Sequence, residues 1–442
     1  MEAFFRRPLV WLPARTVTVD GTLSAATGEP KDGEDRISAL PDDLRRNPEH
    51  RLPPPRQGRR AHNRARHPLA PRLAFYAARH LRLAPRPRRR AGARCCHRPR
   101  PLRPGTQVRS TPSTSPYVSS MNTNLERLYL GCWHFPGTAD LPDGTGVFPH
   151  LRELTMVHTF FEDRDLDHML ASSPVLETLA LLVSFGKAKH VRLRGQRLQC
   201  VLFWESMAFD LEVVDSPLLK RLIMRCVMGV RIPKGAPELK VLGYLEPRVH
   251  ELRIRNTVIK ADTKVSPRTM LPSVKILALK VNLGVFKEVQ MLFSFIRCFP
   301  NIETLHVESA RVDEPTGKDY AEFFRELSPI ECVQSHIKMV VLHEIYGDLS
   351  EVMFIKYITQ RANELKKLTL VLSDKRRATV GEMMYVVKIL AIPQWASETC
   401  MVLLMAPKEE EGLDFHRASD LNVKDPFLEY GQELFRFIKK GE

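Results

Sequence analysis

The chain has 442 residues, 43% of them hydrophobic, and a formal net charge of +16 at pH 7. Twenty arginines, one glutamate and no lysine lie between Arg45 and Arg109, which gives this segment +19 and leaves −3 on the rest of the chain. The basicity therefore belongs to one segment and not to the body. No apolar run approaches the ~20 residues that cross a bilayer, and none of the eight cysteines shows the C-x-x-C spacing of a zinc or redox site.

The N-terminal third is predicted to lack a packed core. Residues 1–34 form a tail, for which a transit peptide is the alternative. Residues 47–120 are rich in Pro and Arg and then in Ser and Thr. Proline lacks an amide donor and dense like charge repels itself, so this segment is predicted to be disordered. The stretch RPRRRAGAR (86–94) could be a nuclear import signal, and the arginines could bind nucleic acid through phosphates.

From Asn124 onward, ten units share the pattern L-x-x-L-x-L. Their leading apolar residues are Leu125, Leu151, Leu176, Leu198, Leu219, Leu239, Val274, Ile302, Ile337 and Leu365. The fourth and sixth residues of a unit lie on one side of a short strand, which cannot bury them alone. Stacked neighbours can, so the units predict a leucine-rich-repeat solenoid with a curved parallel sheet of about ten strands, and helices or loops on its convex side. The leucines expected in one buried column are Leu154, Leu179, Leu222, Leu277, Leu305 and Leu368.

Helices and a cap are predicted towards the C-terminus. Val285, Val289, Leu292, Ile296 and Phe299 recur at helical spacing. The pattern further predicts a helix over Glu351–Leu365 with strands at Ile337–Leu342, Leu368–Leu372 and Met401–Leu404, which would continue the sheet and close it. An amphipathic helix is expected near residues 426–440, and an irregular extra strand near Leu252.

No catalytic motif is present, so the chain is predicted not to be an enzyme and to need no cofactor or metal. The nearest candidate, His343-Glu344, lacks a second histidine at 347, which is glycine. His336 and His343, seven residues apart in one strand, would face opposite sides and could not share a metal.

The outward positions of the strands are the better candidates for function. Trp and Arg are over-represented among interface anchors, although any exposed strand face carries some such residues. The predicted target-binding face comprises Arg127, Tyr129, Trp204, Arg221, Arg225, Lys280, His306 and Glu308.

Together these features resemble the plant F-box proteins that carry leucine-rich repeats and a C-terminal FBD domain. DRISALPDDL (35–44) looks like the start of an F-box, the array from about 124 to 310 is similar to the repeats, and ECVQSHIKMVVLHEIYGDLSEVMFIKYITQRANELKKLTLVL (331–372) is similar to the FBD core. The resemblance implies the substrate-recognition subunit of an SCF-type (cullin–RING) ubiquitin ligase, in the cytoplasm or nucleus. It also implies an unknown protein target on the repeats, no membrane partner, and a Skp-type adaptor bound through Leu40, Pro41, Asp42 and Leu44.

The F-box periodicity stops after Arg46. Arginine without lysine, with many prolines and almost no acid, is typical of GC-rich coding DNA translated in the wrong frame. We therefore hypothesise a shifted reading frame over residues 47–110. Two alternatives stay open, which are a leucine-rich-repeat scaffold with no ligase link and a nucleic-acid-associated protein that uses the basic arm.

The predicted α/β organisation has five parts. They are the N-terminal tail (1–34), an F-box remnant (35–46), the Arg/Pro-rich segment (47–120), the leucine-rich repeats (121–328) and an FBD-like cap (329–442).

Overall fold

The computed structural model describes residues 16–17, 23–24, 125–131, 148–186, 190–206, 208–232, 236–261, 263–264, 266–310, 320–373, 381, 395–408 and 414–438. The F-box remnant (35–46), with its adaptor contacts, and the Arg/Pro-rich segment (47–120) lie outside the described residues. The chain divides into two units. In the unit Ala14–Arg98, strands β1 (Thr16–Val17) and β2 (Leu23–Ser24) pair antiparallel.

The repeats lie in the other unit and build one main sheet. Among the described residues its strands are β3 (Arg127–Gly131), β4 (Glu153–Val157), β6 (Thr178–Leu182), β9 (Cys200–Trp204), β11 (Arg221–Met224), β13 (Val241–Leu245), β16 (Ile276–Val281), β17 (Thr304–Ser309), β18 (Met339–Ile345), β19 (Lys367–Leu372), β20 (Met401–Met405) and β21 (Glu433–Ile438). Each pairs with the next in this order, in parallel except for the antiparallel pair β20–β21. The first ten strands are the ten predicted units, so the predicted solenoid is confirmed.

The register places one leucine position of each repeat opposite that of its neighbour. Leu154 lies opposite Leu179, and Leu277 lies opposite Leu305. All six leucines of the predicted column are fully buried in one core. A second column lies two residues further on, for example Met156 opposite Leu181, because alternate strand residues face the same side.

A tight turn precedes most strands and explains the recurring prolines. Pro174 stands inside a turn in which the Leu176 amide donates to the Ser173 carbonyl at 3.1 Å. Proline suits the second position of a β-turn because its φ is already fixed there. The proline therefore sets the turn from which the leading apolar residue enters the core. The same hydrogen bond recurs at Leu151, Leu219, Leu239, Val274 and Ile302.

In the middle repeats, strands replace the expected helices or loops behind the main sheet. A second sheet has the order β15-β14-β12-β10-β8. Its strands are β8 (His190–Arg194), β10 (Ala208–Asp215), β12 (Val227–Ile232), β14 (Glu251–Ile254) and β15 (Thr257–Val258), and a smaller pair is β5 (Phe160–Phe161) with β7 (Phe185–Gly186). These repeats are as short as 20 residues, which leaves room for a strand but little for a helix. The extra strand near Leu252 is β14, and it belongs to this second sheet.

Longer returns contain helices. They are α1 (Asp163–Ala171), α2 (Phe286–Arg297), α3 (Tyr320–Glu326), α4 (Glu331–Ser335) and α5 (Leu349–Thr359), with α6 (Phe415–Ser419) near the C-terminus. Helix α2 buries Val289, Leu292 and Ile296 as predicted. Helix α5 is shorter than predicted, because Ala362 and Leu365 are buried in the turn that leads into β19. No helix in the described part of the chain is long and apolar enough to span a membrane.

A buried carboxylate attaches α5 to the repeats. Glu351 accepts hydrogen bonds from the amides of Gly347 (2.7 Å) and Asp348 (3.0 Å) and from the Ser309 hydroxyl (2.6 Å) of β17. Burial raises the pKa of Glu351, and these hydrogen bonds oppose the shift. Gly347 has a φ of 83°, which glycine adopts without strain. The C-terminal third thereby continues the repeat sheet, with β18, β19 and β20 at the predicted positions.

The predicted C-terminal helix near 426–440 is wrong. Pro426 and Gly431 interrupt its helical period, and residues 433–438 form β21. Phe435 and Phe437 lie opposite Leu404 and Val402 of β20, so the segment follows the period of two that a strand requires.

Buried hydroxyls connect the ends of β4, β6 and β9. The Ser184 hydroxyl lies 3.2 Å from the carbonyl of Met156 and 3.4 Å from the amide of Thr159 in the preceding repeat. The Ser184 amide in turn donates to the Ser206 hydroxyl at 2.9 Å. These contacts satisfy backbone groups where the strands end.

We expect Ser184→Ala to lower the free energy of unfolding by about 1–3 kcal/mol, because buried backbone groups lose their partner. Urea denaturation measures this loss. The control is Ser173→Ala, which removes an equally buried hydroxyl that has no hydrogen-bond partner in this structure and should cost nothing. Equal losses in the two variants would contradict the role of the hydroxyl contacts.

Candidate functional site

The predicted target-binding residues all lie on one face of the main sheet. We call the side turned away from the second sheet the outer face. Arg127 is exposed there, and Tyr129, Lys280 and Glu308 are partly buried. The expectation of open exposure is wrong for the other four, since Trp204, Arg221, Arg225 and His306 are buried.

The cause is a segment of the same chain, residues 414–430, which we call the strap. It lies between β20 and β21 and crosses the outer face. Helix α6 opens the strap, and its N-cap, Asp414, accepts from the Arg417 amide at 3.0 Å. Phe415, Ala418 and Phe427 form a buried apolar cluster on this face together with strand residues Cys200, Leu202, Ile223, Val241 and Ala278.

Arg221 is the principal polar contact between the outer face and the strap. Its guanidinium donates to the carbonyls of Ala418 (2.6 Å), Val423 (2.6 Å) and Asp420 (3.1 Å). It also lies 3.3 Å from the carbonyl of Arg417. Arg417 and Ala418 lie in the last turn of α6, and Asp420 and Val423 follow it. Carbonyls at the end of a helix have no hydrogen-bond donor within the helix. The side chain therefore satisfies backbone that α6 cannot satisfy itself.

Aromatic rings of the outer face contact Phe427 in the second half of the strap. The Phe427 ring lies edge-on to Tyr244, with 5.1 Å between centroids, and 5.3 Å from His306. Tyr244 also contacts Trp204 at 6.1 Å. Edge-to-face contacts of this kind add to the apolar burial of the rings, so Phe427 is an anchor of the strap.

Two histidines and an aspartate form a buried row of polar contacts beside these aromatic rings. His306 Nε2 lies 3.0 Å from Asp425 Oδ2, and His306 Nδ1 lies 3.1 Å from His343 Nε2. Burial lowers the pKa of His343 to about 3, and the neighbouring His306 lowers it as well. Burial alone would raise the pKa of Asp425, but the charge and hydrogen bond of His306 hold it below its usual value.

Beyond the strap contacts, an ion pair crosses the outer face. Arg225 lies 2.9 Å from Glu308 and 5.2 Å from the centre of the Trp204 ring. Burial tends to lower the pKa of Arg225, and the charge of Glu308 overcomes this effect and raises it. Lys280 stands 3.8 Å from the same carboxylate. Four of the eight predicted residues thus form one cluster.

The strap, Asp425, Phe427 and His343 were not predicted as parts of the site. A signal was available in the sequence, because all five residues of β9 (CVLFW) are apolar, and such a continuous apolar run indicates a sheet covered on both sides. His336 was placed wrongly, since it ends α4 and does not lie in β18. Within the described residues no group of three His, Cys, Asp or Glu side chains is arranged to hold a metal.

The parallel repeat sheet, with Trp, Tyr, Arg and His side chains on its outer face, defines a leucine-rich-repeat protein of the kind that binds other proteins. A family model described as FBD-associated F-box protein At5g56370, LRR repeats, matches residues 102–307, and the FBD model matches residues 325–370. No curated protein and no solved structure matches the chain. The chain belongs to the F-box/FBD/leucine-rich-repeat protein family.

We expect Arg221→Met to lower the free energy of unfolding by about 3 kcal/mol or more, because several hydrogen bonds to a charged group are lost and buried carbonyls stay unpaired. Urea denaturation checks the loss. In the control, Arg152→Met removes an arginine from an exposed ion pair with Glu177 and should cost at most about 1 kcal/mol. A loss no larger than the control's would contradict the assigned contact.

We expect the stability to fall between about pH 6.5 and pH 4. The folded chain holds the pKa of His343 near 3 and that of His250 near 4, below the ordinary 6.5. The unfolded chain therefore binds more protons in this window, so stability rises with pH there. The pKa of Asp425 is lowered from its ordinary value of 3.8. Its contribution to stability is therefore fully present above about pH 3.8 and is lost only as the pH falls below this value.

Urea midpoints from pH 7.5 to 4.5 test this dependence. His343→Asn should lose less stability than the wild type over the same interval, by up to about 1.4 kcal/mol per pH unit. His150→Asn, at an exposed position, serves as the control and should keep the wild-type profile. An unchanged slope in His343→Asn would refute the assignment.

Proposed function

We propose that the chain is a target-recognition subunit of an SCF-type cullin–RING ubiquitin ligase. In this proposal the repeats and the FBD part hold a protein target, and Leu40, Pro41, Asp42 and Leu44 contact a Skp-type adaptor. The chain itself performs no catalysis, because the ubiquitin chemistry belongs to other subunits. We place its work in the cytoplasm or the nucleus.

One observation carries the proposal. The two matched modules form a single sheet, in which Leu305 of the repeats lies opposite Val340 of the FBD part. Their outer face carries buried Trp and Arg side chains and partly buried Tyr side chains, which are the residue types that dominate binding energy in protein interfaces. A rigid sheet that presents such side chains suits recognition of a protein segment.

A second candidate is a repeat scaffold with no ligase link. It is favoured by the sequence after Arg46, where the helical periodicity of an F-box is replaced by arginine and proline. The basic segment between Arg45 and Arg109 favours a third candidate, nucleic-acid association, which should be salt-dependent.

Retention of a purified Skp-type adaptor on the immobilised full chain separates these candidates. The ligase proposal predicts retention, and Leu40→Asp with Leu44→Asp should reduce it at least tenfold because both apolar contacts are lost. Leu69→Asp with Leu73→Asp, in the Arg/Pro-rich segment, is the matched control and should not change retention.

Absence of adaptor binding in the wild type would favour the scaffold. The frame hypothesis adds a further expectation, since a chain with the alternative frame translated over 47–110 should retain more adaptor. If neither alternative frame encodes apolar helices, the frame hypothesis fails. Salt-sensitive retention on nucleic acid that disappears on deletion of 45–110 would favour the third candidate.

A further inference from the structure

Within the described residues no backbone–backbone hydrogen bond joins the strap to the strands of the outer face, and the contacts between them involve side chains such as that of Arg221. The strap's backbone–backbone hydrogen bonds, as from Ala418 to Asp414, join strap residues to one another, and the residues that follow the strap join Ala406. The ladders that connect β9 to β18 are complete without it. Opening the strap would break no strand pairing, so it can open as a local unit.

The polar groups under the strap suit a peptide ligand. Arg221 donates to backbone carbonyls, which every peptide possesses, and His306 faces a carboxylate. Both are buried with partners that the strap supplies, so an empty face would leave a guanidinium without these hydrogen bonds.

The specific part of the contact is a carboxylate followed two residues later by an aromatic ring. Asp425 Oδ1 accepts from the Phe427 amide at 3.1 Å, while Oδ2 lies 3.0 Å from His306. The Phe427 ring contacts the same histidine and Tyr244. Proline at 426 restricts the backbone between the two groups, which keeps them at this spacing.

We propose that the strap is an internal competitor of the target, and that the target presents a carboxylate two residues before an aromatic ring, as Asp425 and Phe427 do. This inference rests on the proposed function, because it assigns the target to the outer face. A tethered segment acts at an effective concentration on the order of millimolar. The apparent affinity for the target is therefore reduced by the fraction of molecules whose strap is displaced.

A labelled peptide with the sequence of residues 414–430 is the probe, and its binding to the full chain is measured by fluorescence anisotropy. The double variant Asp425→Asn and Phe427→Ala weakens the internal strap and leaves the face intact. It should bind the peptide at least tenfold more tightly than the wild type does. A peptide that carries the same two substitutions should bind at least tenfold more weakly than the native peptide.

Two controls sharpen the result. Asn422→Ala changes an exposed strap residue and should leave peptide binding at the wild-type level. Adding His306→Asn to the double variant should remove the gain, because the carboxylate loses its partner. A folded double variant that binds the peptide no better than the wild type would overturn the proposal.

Hydrogen exchange of the wild type keeps the proposal testable if the double variant does not fold. The Ala418 and Phe427 amides should exchange at least tenfold faster than the Leu202 amide of β9. Exchange at the same rate would show that the strap opens only with the sheet, and it would overturn the inference. Adaptor retention tests the proposed function separately. If the chain does not bind the adaptor but the double variant binds the peptide more tightly, the ligase proposal fails and the strap is still a competitor for the outer face.

Discussion

The structure depends on the inability of one short strand to bury its own leucines. A strand of five residues, such as Thr178–Leu182, has inner side chains that only neighbouring strands can cover. The register meets this need by placing Leu154, Leu179 and Val201 opposite one another. Each repeat is therefore stable only through its neighbours, and the FBD part continues the same column with Val340 and Leu368.

Covering the sheet on both sides changes what the outer face can be. Apolar residues on that face, such as Ile223 and Ala278, are more stable in contact with the strap than in contact with water. Arg221 and His306 lie on the same face, and the charge of Arg221 and the hydrogen-bonding groups of both side chains restrict which segment can lie there. Apolar packing and polar contacts thus use one surface, and the strap provides partners for both.

The main sheet could be predicted because its pattern recurs ten times, and each recurrence supports the others. The second sheet was not predicted, since β8 and β10 lie in the returns between the repeat units and are not part of the recurring pattern. The apolar run of β9 indicates a covered face, but which segment covers it could not be predicted from the sequence. The contacts of the strap join residues far apart in the chain, such as Arg221 with Ala418 and His306 with Asp425, and no local period reports them. The segment after Pro426 also carried apolar residues at misleading helical spacing.

The turn that contains proline has a consequence for how such arrays diverge. Because the hydrogen bond from Leu176 to Ser173 sets the entry of its strand, the register does not depend on the length of the preceding return. Repeat steps here range from 20 to 35 residues without loss of pairing, and loop length adds to the entropy of closure only slowly. Each return is thus an independent point of insertion, at which the chain can gain residues while every leucine column stays aligned.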